Sequence, residues 1–141
     1  MNSLLVFNSK SSTFAEDVQF IVFSGQKDHG DDAIKKAQQF IEDNFQNKVN
    51  VDEIAQMVHL NARSFLRRFK KATANTPLEY IHRVKVEAAK KKLESTTKTI
   101  LEVMYDIGYN DENAFRSTFK KYSGLSPKQY QRKYNIEMAF A

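Results

Sequence analysis

The sequence predicts an all-α protein in which two helix-turn-helix subdomains are joined by a long linker helix. Three observations support this fold class. Four glycines and two prolines leave little room for turn-rich β architecture. Apolar residues recur with helical spacing, and one pattern of helix caps and apolar stripes occurs twice. At 141 residues the chain can hold one ordinary domain, or two very small ones that share a core.

Charge is divided unevenly between the two halves of the chain. The formal net charge is +5, but residues 1–60 carry five Lys/Arg against nine Asp/Glu, whereas residues 61–141 carry seventeen against eight. Clustered positive charge attracts nucleic acid or an anionic membrane surface without selecting between them, and a solvated charged face is equally compatible with it. The basic half is the candidate polyanion-binding surface.

The composition also excludes several kinds of site. Cysteine is absent, which excludes disulfides, thiolate metal sites and the cysteine nucleophile of an amidotransferase-like enzyme. His29, His59 and His82 are dispersed and lack metal-ligand spacing, so no metal and no cofactor is expected. No signal peptide or membrane span is visible, and we expect a cytoplasmic protein that is not an enzyme.

The chain is expected to divide into five segments. The first is a remnant of a preceding domain or a linker, with a strand-like stretch at residues 18–23. From Asp31 the pattern becomes helical, because Asp31 and Asp32 suit a helix N-terminus and an apolar face follows at Ile34, Ala37, Ile41 and Phe45. The segments are 1–30 (N-terminal segment), 31–75 (first subdomain), 76–95 (linker helix), 96–135 (second subdomain) and 136–141 (tail).

An internal repeat defines the two helix pairs. In the first copy, a capping-box pattern and an apolar stripe comprise Asn50, Val51, Glu53, Ile54, Ala55 and Val58; 49 positions later the second copy has Thr99, Ile100, Glu102, Val103, Met104 and Ile107. The next helices start at the caps Asn61 and Asp111 and align at an offset of 50, as Phe65 with Phe115 and Phe69 with Phe119. In the second turn Gly108 can supply a positive φ.

Each copy ends at a new helix start, Thr76-Pro77 and Ser126-Pro127, where a cap precedes a proline at the first helical position. Pro77 to about Ser95 is expected to form the linker helix, which fixes the spacing of the two subdomains. Its predicted apolar stripe consists of Leu78, Ile81, Val84, Ala88, Ala89 and Leu93.

A helix pair of this kind can place its second helix in the major groove of DNA. Inward positions are predicted at Phe65, Phe69 and Ala72, and at Phe115, Phe119 and Tyr122. Outward positions are Ala62, Arg63, Ser64 and Arg67, with Arg68 on the flank, and Glu112, Asn113, Arg116 and Ser117. Arginine can bond guanine, asparagine adenine and glutamate cytosine. A single outward arginine is more often only solvated, but two copies in register favour DNA reading.

Other residues are better suited to contact phosphates. These are expected to set affinity rather than sequence preference, through side-chain charge or through backbone N–H groups at helix starts. The predicted phosphate contacts are Ser64, Arg68, Lys70, Lys71, Thr76, Thr99, Lys120, Lys121 and Lys128, together with the helix start after Ser126.

Residues 31–134 resemble the C-terminal DNA-binding domain of the AraC/XylS family. The resemblance is carried by Ser64-Phe65-Leu66-Arg67-Arg68-Phe69-Lys70-Lys71, by Ala88-Ala89-x-x-x-Leu93, and by Gly108-Tyr109-x-Asp111-x-x-x-Phe115-x-x-x-Phe119-Lys120-Lys121 running to Gly124-x-Ser126-Pro127-x-x-Tyr130. It implies a seven-helix monomer whose two recognition helices lie about one DNA turn apart, roughly 34 Å. The base-reading positions that it implies are Arg63, Leu66 and Arg67, then Glu112, Asn113, Arg116 and Ser117.

Four positions depart from the family pattern. Leu66 replaces a polar residue and suggests contact with a thymine methyl or no contact. Asn61 replaces the common serine cap, Asn75 a glycine, and Lys85 an arginine of the linker. Residues 18–43 resemble the junction in a subgroup with an amidotransferase-like N-terminal domain, which would make this chain part of a longer protein.

The expected partners are double-stranded DNA and RNA polymerase, with no membrane. We expect the domain alone to be monomeric and a full-length protein to be dimeric. The expected output is activation. The alternative is a helical protein-interaction module whose basic face meets an acidic partner.

Overall fold

The computed structural model describes residues 28–139, and within that range the secondary structure is helical, without strands. This confirms the predicted all-α class. The strand-like stretch at 18–23 lies outside the described residues. Eight helices are present within that range where seven were expected, and the additional one is a four-residue α-helix in the segment predicted as a tail. They are α1 Asp32–Asn44, α2 Val51–Met57, α3 Ala62–Thr73, α4 Pro77–Ser95, α5 Ile100–Asp106, α6 Glu112–Ser123, α7 Pro127–Tyr134 and α8 Ile136–Ala139.

The helix starts follow the predicted caps. Asp31 caps α1 by accepting a hydrogen bond from the Ile34 N–H at 3.3 Å, and complete capping boxes begin α4, α5 and α7. At α2 the Asn50 side chain accepts from the Glu53 N–H at 3.1 Å, but α2 shows only this half of the predicted box. Side-chain capping therefore satisfies N-terminal amides that have no acceptor within the helix.

Both copies of the repeat also place left-handed residues at corresponding positions. After α2 and α5 these are His59, with φ of 60°, and Gly108, with φ of 93°. At the ends of α3 and α6 they are Ala74, with φ of 63°, and Gly124, with φ of 84°. The backbone path is thus repeated, although only the second copy has glycine at these positions.

α4 belongs to both halves of the core, and this explains why its buried residues differ from the predicted apolar stripe. Leu78 was expected to face inward but is 57% exposed, so that prediction was wrong. Pro77, Tyr80 and Ile81 are buried in the first turn, and Leu78 lies about 100° around the helix from Pro77, away from this stripe. Later turns bury Val86 and Lys90 as well as the predicted residues, because helices pack on more than one side of α4.

The C-terminal half of α4 serves the second subdomain as α1 serves the first. The buried residues of α1, Ile34, Ala37, Gln38, Ile41 and Glu42, correspond to Val86, Ala89, Lys90, Leu93 and Glu94, each 52 positions later. Tyr80 donates its hydroxyl hydrogen bond to Glu42 at 2.9 Å, and Tyr130 donates to Glu94. The structural repeat is therefore a three-helix unit, and α4 supplies the end of one and the beginning of the next.

Contacts from α4 also hold the turn between α5 and α6. The Lys85 ammonium donates to the Gly108 carbonyl at 3.2 Å and lies 4.9 Å from the centre of the Tyr109 ring. His82 stacks on Tyr109, with Nδ1 and the hydroxyl oxygen 2.5 Å apart. A Cβ atom added at Gly108 would lie 2.7 Å from the carbonyl oxygen of Gln46. The loop after α1 therefore touches the second helix-turn-helix directly.

Candidate nucleic-acid interface

The first candidate recognition helix, α3, is held by aromatic rings on its inner face. Phe65 and Phe69 are buried, with ring centres 5.6 Å apart, and Phe69 packs edge-on against Tyr80 at 5.4 Å. The Asn61 side chain caps the helix by accepting from the Ser64 N–H at 2.8 Å. Burial of these rings contributes most of the stability of such a short helix. It leaves the opposite face of α3 to solvent.

The second candidate recognition helix, α6, repeats this arrangement. Phe115 and Phe119 are buried with ring centres 5.9 Å apart, and Phe119 packs edge-on against Tyr130 at 5.4 Å. Asp111 caps α6 through the Ala114 N–H at 3.1 Å. Ala72 and Tyr122, also predicted to face inward, are partly buried against the core. The sequence therefore located the inner faces of both helices correctly.

The outer face of α3 presents two arginines and an apolar side chain. Arg63 and Arg67 are exposed, and neither has a hydrogen-bond or ion-pair partner among residues 28–139. Leu66 is 46% exposed, so this helix offers a methyl-bearing surface to one side of the two arginines, which lie one turn apart. Ser64, on the same helix, is half-buried and its N–H is occupied by the cap.

The outer face of α6 is more nearly neutral. Arg116 donates from Nε and Nη2 to the same oxygen of Glu112, at 2.8 and 2.5 Å. Glutamate four residues before a basic residue is the favourable order on a helix, although an exposed pair of this kind stabilises the protein by less than about 1 kcal/mol. Asn113 and Ser117 are exposed beside it. The two helices thus present different chemistry on a similar backbone.

Arg68 has a partner that its sequence position did not reveal. Its Nε and Nη2 donate to the two carboxylate oxygens of Asp31 at 3.0 and 2.8 Å. The Arg68 guanidinium, together with the Ile34 amide, keeps the pKa of the Asp31 carboxyl below its ordinary value. This bond ties α3 to the N-terminus of α1. The predicted phosphate contact of Arg68 stays a prediction.

The predicted phosphate-binding lysines lie on the surface, toward the ends of the recognition helices and on α7. Lys70 lies 3.9 Å from Glu79 and donates to the Ala74 carbonyl at 3.2 Å. The capping bond with Thr76 lowers the pKa of Glu79, and the charges of Lys70 and Lys121 contribute less. The ends of both recognition helices are thus near the start of α4. The exposed predicted lysines are Lys70, Lys71, Lys120, Lys121 and Lys128.

At the predicted helix starts, capping bonds leave fewer backbone N–H groups free to bind a phosphate. The backbone N–H groups of Thr76 and Thr99 each donate to a glutamate side chain at 2.8 Å, and their hydroxyls accept from the third helical residue. The Ser126 N–H is occupied in the same way by Gln129 at 3.1 Å. Amides available for phosphate are therefore those just inside each helix, and the roles of Thr76 and Thr99 stay predictions.

Metal-binding clusters and membrane-spanning helices are both absent among the described residues. Between residues 28 and 139 there is no cluster of three or more His, Asp or Glu side chains able to hold a metal ion. None of the helices in that range combines the length and apolar character that a bilayer span requires. The histidines have local roles: His29 bonds Gln38 at 2.8 Å, and burial lowers the pKa of His82, whose neighbours Lys85 and Lys121 lower it further.

Comparisons with known proteins agree with this architecture. A family model described as a helix-turn-helix domain matches residues 54–133. An uncharacterized HTH-type transcriptional regulator in the cgkA 5′ region of Pseudoalteromonas carrageenovora is 34% identical over 102 residues, covering 72% of this chain and 60% of the relative. The HTH-type transcriptional activator RhaS of Mannheimia succiniciproducens is 27% identical over 128 residues, covering 91% and 46%. The chain thus spans about half the length of these relatives.

A solved structure extends the likeness to three dimensions. The C-terminal domain of AraT, a response regulator from Geobacillus stearothermophilus, matches with a TM-score of 0.71 and 25% identity, covering 75% of this chain and 88% of that one. The likeness to an amidotransferase-containing subgroup stays a prediction, and residues 18–27 of that stretch lie outside the described range. With a family model matching more than half of its residues, this chain belongs to the AraC/XylS family of helix-turn-helix transcription regulators.

Proposed function

We propose that this chain binds duplex DNA at specific sequences and activates transcription, with α3 and α6 entering successive major grooves on one side of the duplex. The observation that carries the proposal is that α3 and α6 are equivalent helices, each with one face buried and the other exposed. α3 and α6 have 12 residues each, lie on equivalent buried aromatic rings, and expose side chains whose hydrogen-bonding groups match base edges.

The proposed base-reading residues differ in how each would act. Arg63 and Arg67, unpaired among the described residues, would bond guanine O6 and N7, and Leu66 would contact a thymine methyl. On α6, Asn113 would bond adenine. Arg116 and Glu112 would act as a pair, since the carboxylate already holds the guanidinium. Ser117 would add a further base contact at the same face.

The proposed partners are duplex DNA and RNA polymerase, and the proposed location is the cytoplasm. We propose the domain alone as a monomer and a longer protein containing it as a dimer. The name of the relative RhaS supports activation. Because the named relatives are regulators, we propose that the chain is not an enzyme. The domain limits 31–75, 76–95 and 96–135 stay proposals, although α4 spans the middle segment.

A salt titration with duplex DNA tests binding. Because each neutralised phosphate releases counterions, log affinity should fall linearly with log salt, with a slope of about −5 or steeper if six or more phosphates are engaged. The duplex should first be selected by this protein from a random library. A helical protein-interaction module would select no sequence, and its affinity for DNA would not differ between selected and random duplexes.

Substitutions then test the residue assignments. Arg67→Ala should cost about 1–3 kcal/mol on the selected duplex and relax preference at one base pair, whereas Lys71→Ala should weaken binding to all duplexes alike. Arg116→Ala should weaken binding to random DNA as well, because it leaves Glu112 unneutralised beside the phosphates. In the double variant Arg116→Ala/Glu112→Gln, the affinity for random DNA should recover, but the lost preference for the selected duplex should not. Equal losses for Arg67→Ala on selected and random duplexes would remove Arg67 from the base-reading set.

A further inference from the structure

The placement of α6 relative to α3 depends on α4. Among the described residues α1 and α3 pack on α4, and so do α5, α6 and α7, whereas no contact of comparable extent joins α1–α3 directly to α5–α7. An α4 side chain can contact both recognition helices, or contact residues that are attached to both. Such a side chain has most influence on the distance and angle between the two helices.

Arg83, on α4, contacts residues at the ends of both recognition helices. Its Nε donates to the Asn75 side-chain oxygen at 3.1 Å, and its guanidinium carbon lies 4.7 Å from the centre of the Tyr122 ring. Asn75 directly follows the C-cap of α3, and Tyr122 lies in the last turn of α6. One planar cation thus bonds the end of the first recognition helix while it stacks on the end of the second.

The residues that Arg83 contacts are themselves held firmly. Asn75 is 6% exposed, its Nδ2 donates to the Thr73 carbonyl at 3.1 Å, and its N–H donates to the Thr73 hydroxyl at 3.1 Å. Tyr122 is partly buried and packs against the core of the second subdomain. A movement of either helix end would therefore be transmitted to Arg83 rather than absorbed by a loose side chain.

We propose that Arg83 is a positioning residue that sets the relative placement of α3 and α6, and so restricts the half-site spacing that the protein accepts. The inference rests on the proposed function, because spacing matters only if both helices read DNA. A guanidinium can donate in its plane while its flat face lies on a ring; an ammonium can also donate beside a ring, as Lys85 does, but it has no flat face and no planar fork. One inserted base pair moves a half-site by about 3.4 Å and rotates it by about 35°.

The test uses the 141-residue chain and a duplex that it selects from a random library. Affinity is measured at one salt concentration for the selected duplex, for versions with one base pair inserted or removed between the half-sites, and for each half-site alone. Arg83→Met keeps a long apolar stem without the donor or the charge, and Arg83→Lys keeps the charge and N–H donors without the planar fork. Tyr122→Leu removes the aromatic ring of α6 that Arg83 contacts. Arg132→Met, at an exposed position on α7, is the charge-matched control.

Wild-type protein and Arg132→Met should lose about tenfold or more in affinity on the respaced duplexes, as a rigid two-helix reader requires. Arg83→Met, Arg83→Lys and Tyr122→Leu should lose about threefold or less, with affinity for single half-sites unchanged. The double variant Arg83→Met/Tyr122→Leu should tolerate respacing no better than either single variant.

Two results would overturn different statements. If the wild type is selective for spacing and all three variants keep that selectivity, the role of Arg83 is wrong and the proposed function stands. If the wild type binds random duplexes as tightly as the selected one, the proposed function fails. Should Arg83→Met not fold, as judged by circular dichroism, Arg83→Lys and Tyr122→Leu decide the question.

Discussion

Replacing Ala74 with glycine is expected to stabilise this protein, although alanine is the better helix former. Ala74 ends α3 with a φ of 63°, and its N–H donates to the Lys70 carbonyl at 2.8 Å. Gly124 ends α6 with a φ of 84° and makes the corresponding bond to Lys120 at 2.8 Å. A Cβ atom in the left-handed region costs about 1–2 kcal/mol. Glycine's greater freedom in the unfolded chain offsets about 0.4–1 kcal/mol of that gain.

The net expectation for Ala74→Gly is a rise of about 0.5–1 kcal/mol in the free energy of unfolding, or roughly 2–6 °C in Tm. Gly124→Ala should lower stability by a similar amount, because no heavy atom lies within 4 Å of the added Cβ and only the backbone conformation is penalised. Gly30→Ala is the control, since it is equally uncrowded and not left-handed. Urea unfolding followed by circular dichroism measures all three. Destabilisation by Ala74→Gly as large as that by Gly124→Ala would refute the reasoning.

Three other substitutions have defined outcomes. Phe119→Ala should lower the free energy of unfolding by about 3–5 kcal/mol, because it opens a cavity under α6; a melting temperature near that of the wild type would mean that the inner face is misassigned. Gly108→Ala should destabilise more than Gly124→Ala in the same urea series, because the new Cβ would also meet the Gln46 carbonyl at 2.7 Å. Burial, followed by the charge of Lys85, lowers the pKa of His82, so the unfolded state binds more protons and stability should fall as pH drops below about 6.5. Urea unfolding at pH values above and below this should show a smaller fall in His82→Gln, and an equal fall would argue against the assignment.

Local patterns in the sequence predicted most of the helices. The caps Asn61, Asp111 and Thr99, and the buried pairs beginning at Phe65 and Phe115, are specified by residues within one or two helical turns of each other. Such short-range spacing is what periodicity can detect. The equivalence of α1 with the second half of α4 was also present in the sequence, at an offset of 52 rather than 49 or 50. It was hidden because α4 is apolar on more than one side.

The candidate site was less predictable, for two different reasons. The bond between Arg68 and Asp31 joins residues 37 positions apart, and spacing along the chain carries no information about such a tertiary contact. The pair formed by Glu112 and Arg116, in contrast, has the i, i+4 spacing that favours an ion pair on a helix, so the signal was available. Arg83 gave no signal, because its partners lie on either side of it in sequence and only the packed structure brings them to one side chain.

Because α4 is shared, the two halves cannot be separated at either end of that helix without losing core contacts. A fragment that ends at residue 75 leaves Phe69 without the tyrosine ring that covers it. A fragment that begins at residue 96 loses Leu93 and the carboxylate that bonds Tyr130. A fragment that keeps these contacts of the second half begins inside α4, before Val86. A chimeric regulator made by exchanging DNA-reading halves would need its crossover within that helix rather than in the loops on either side.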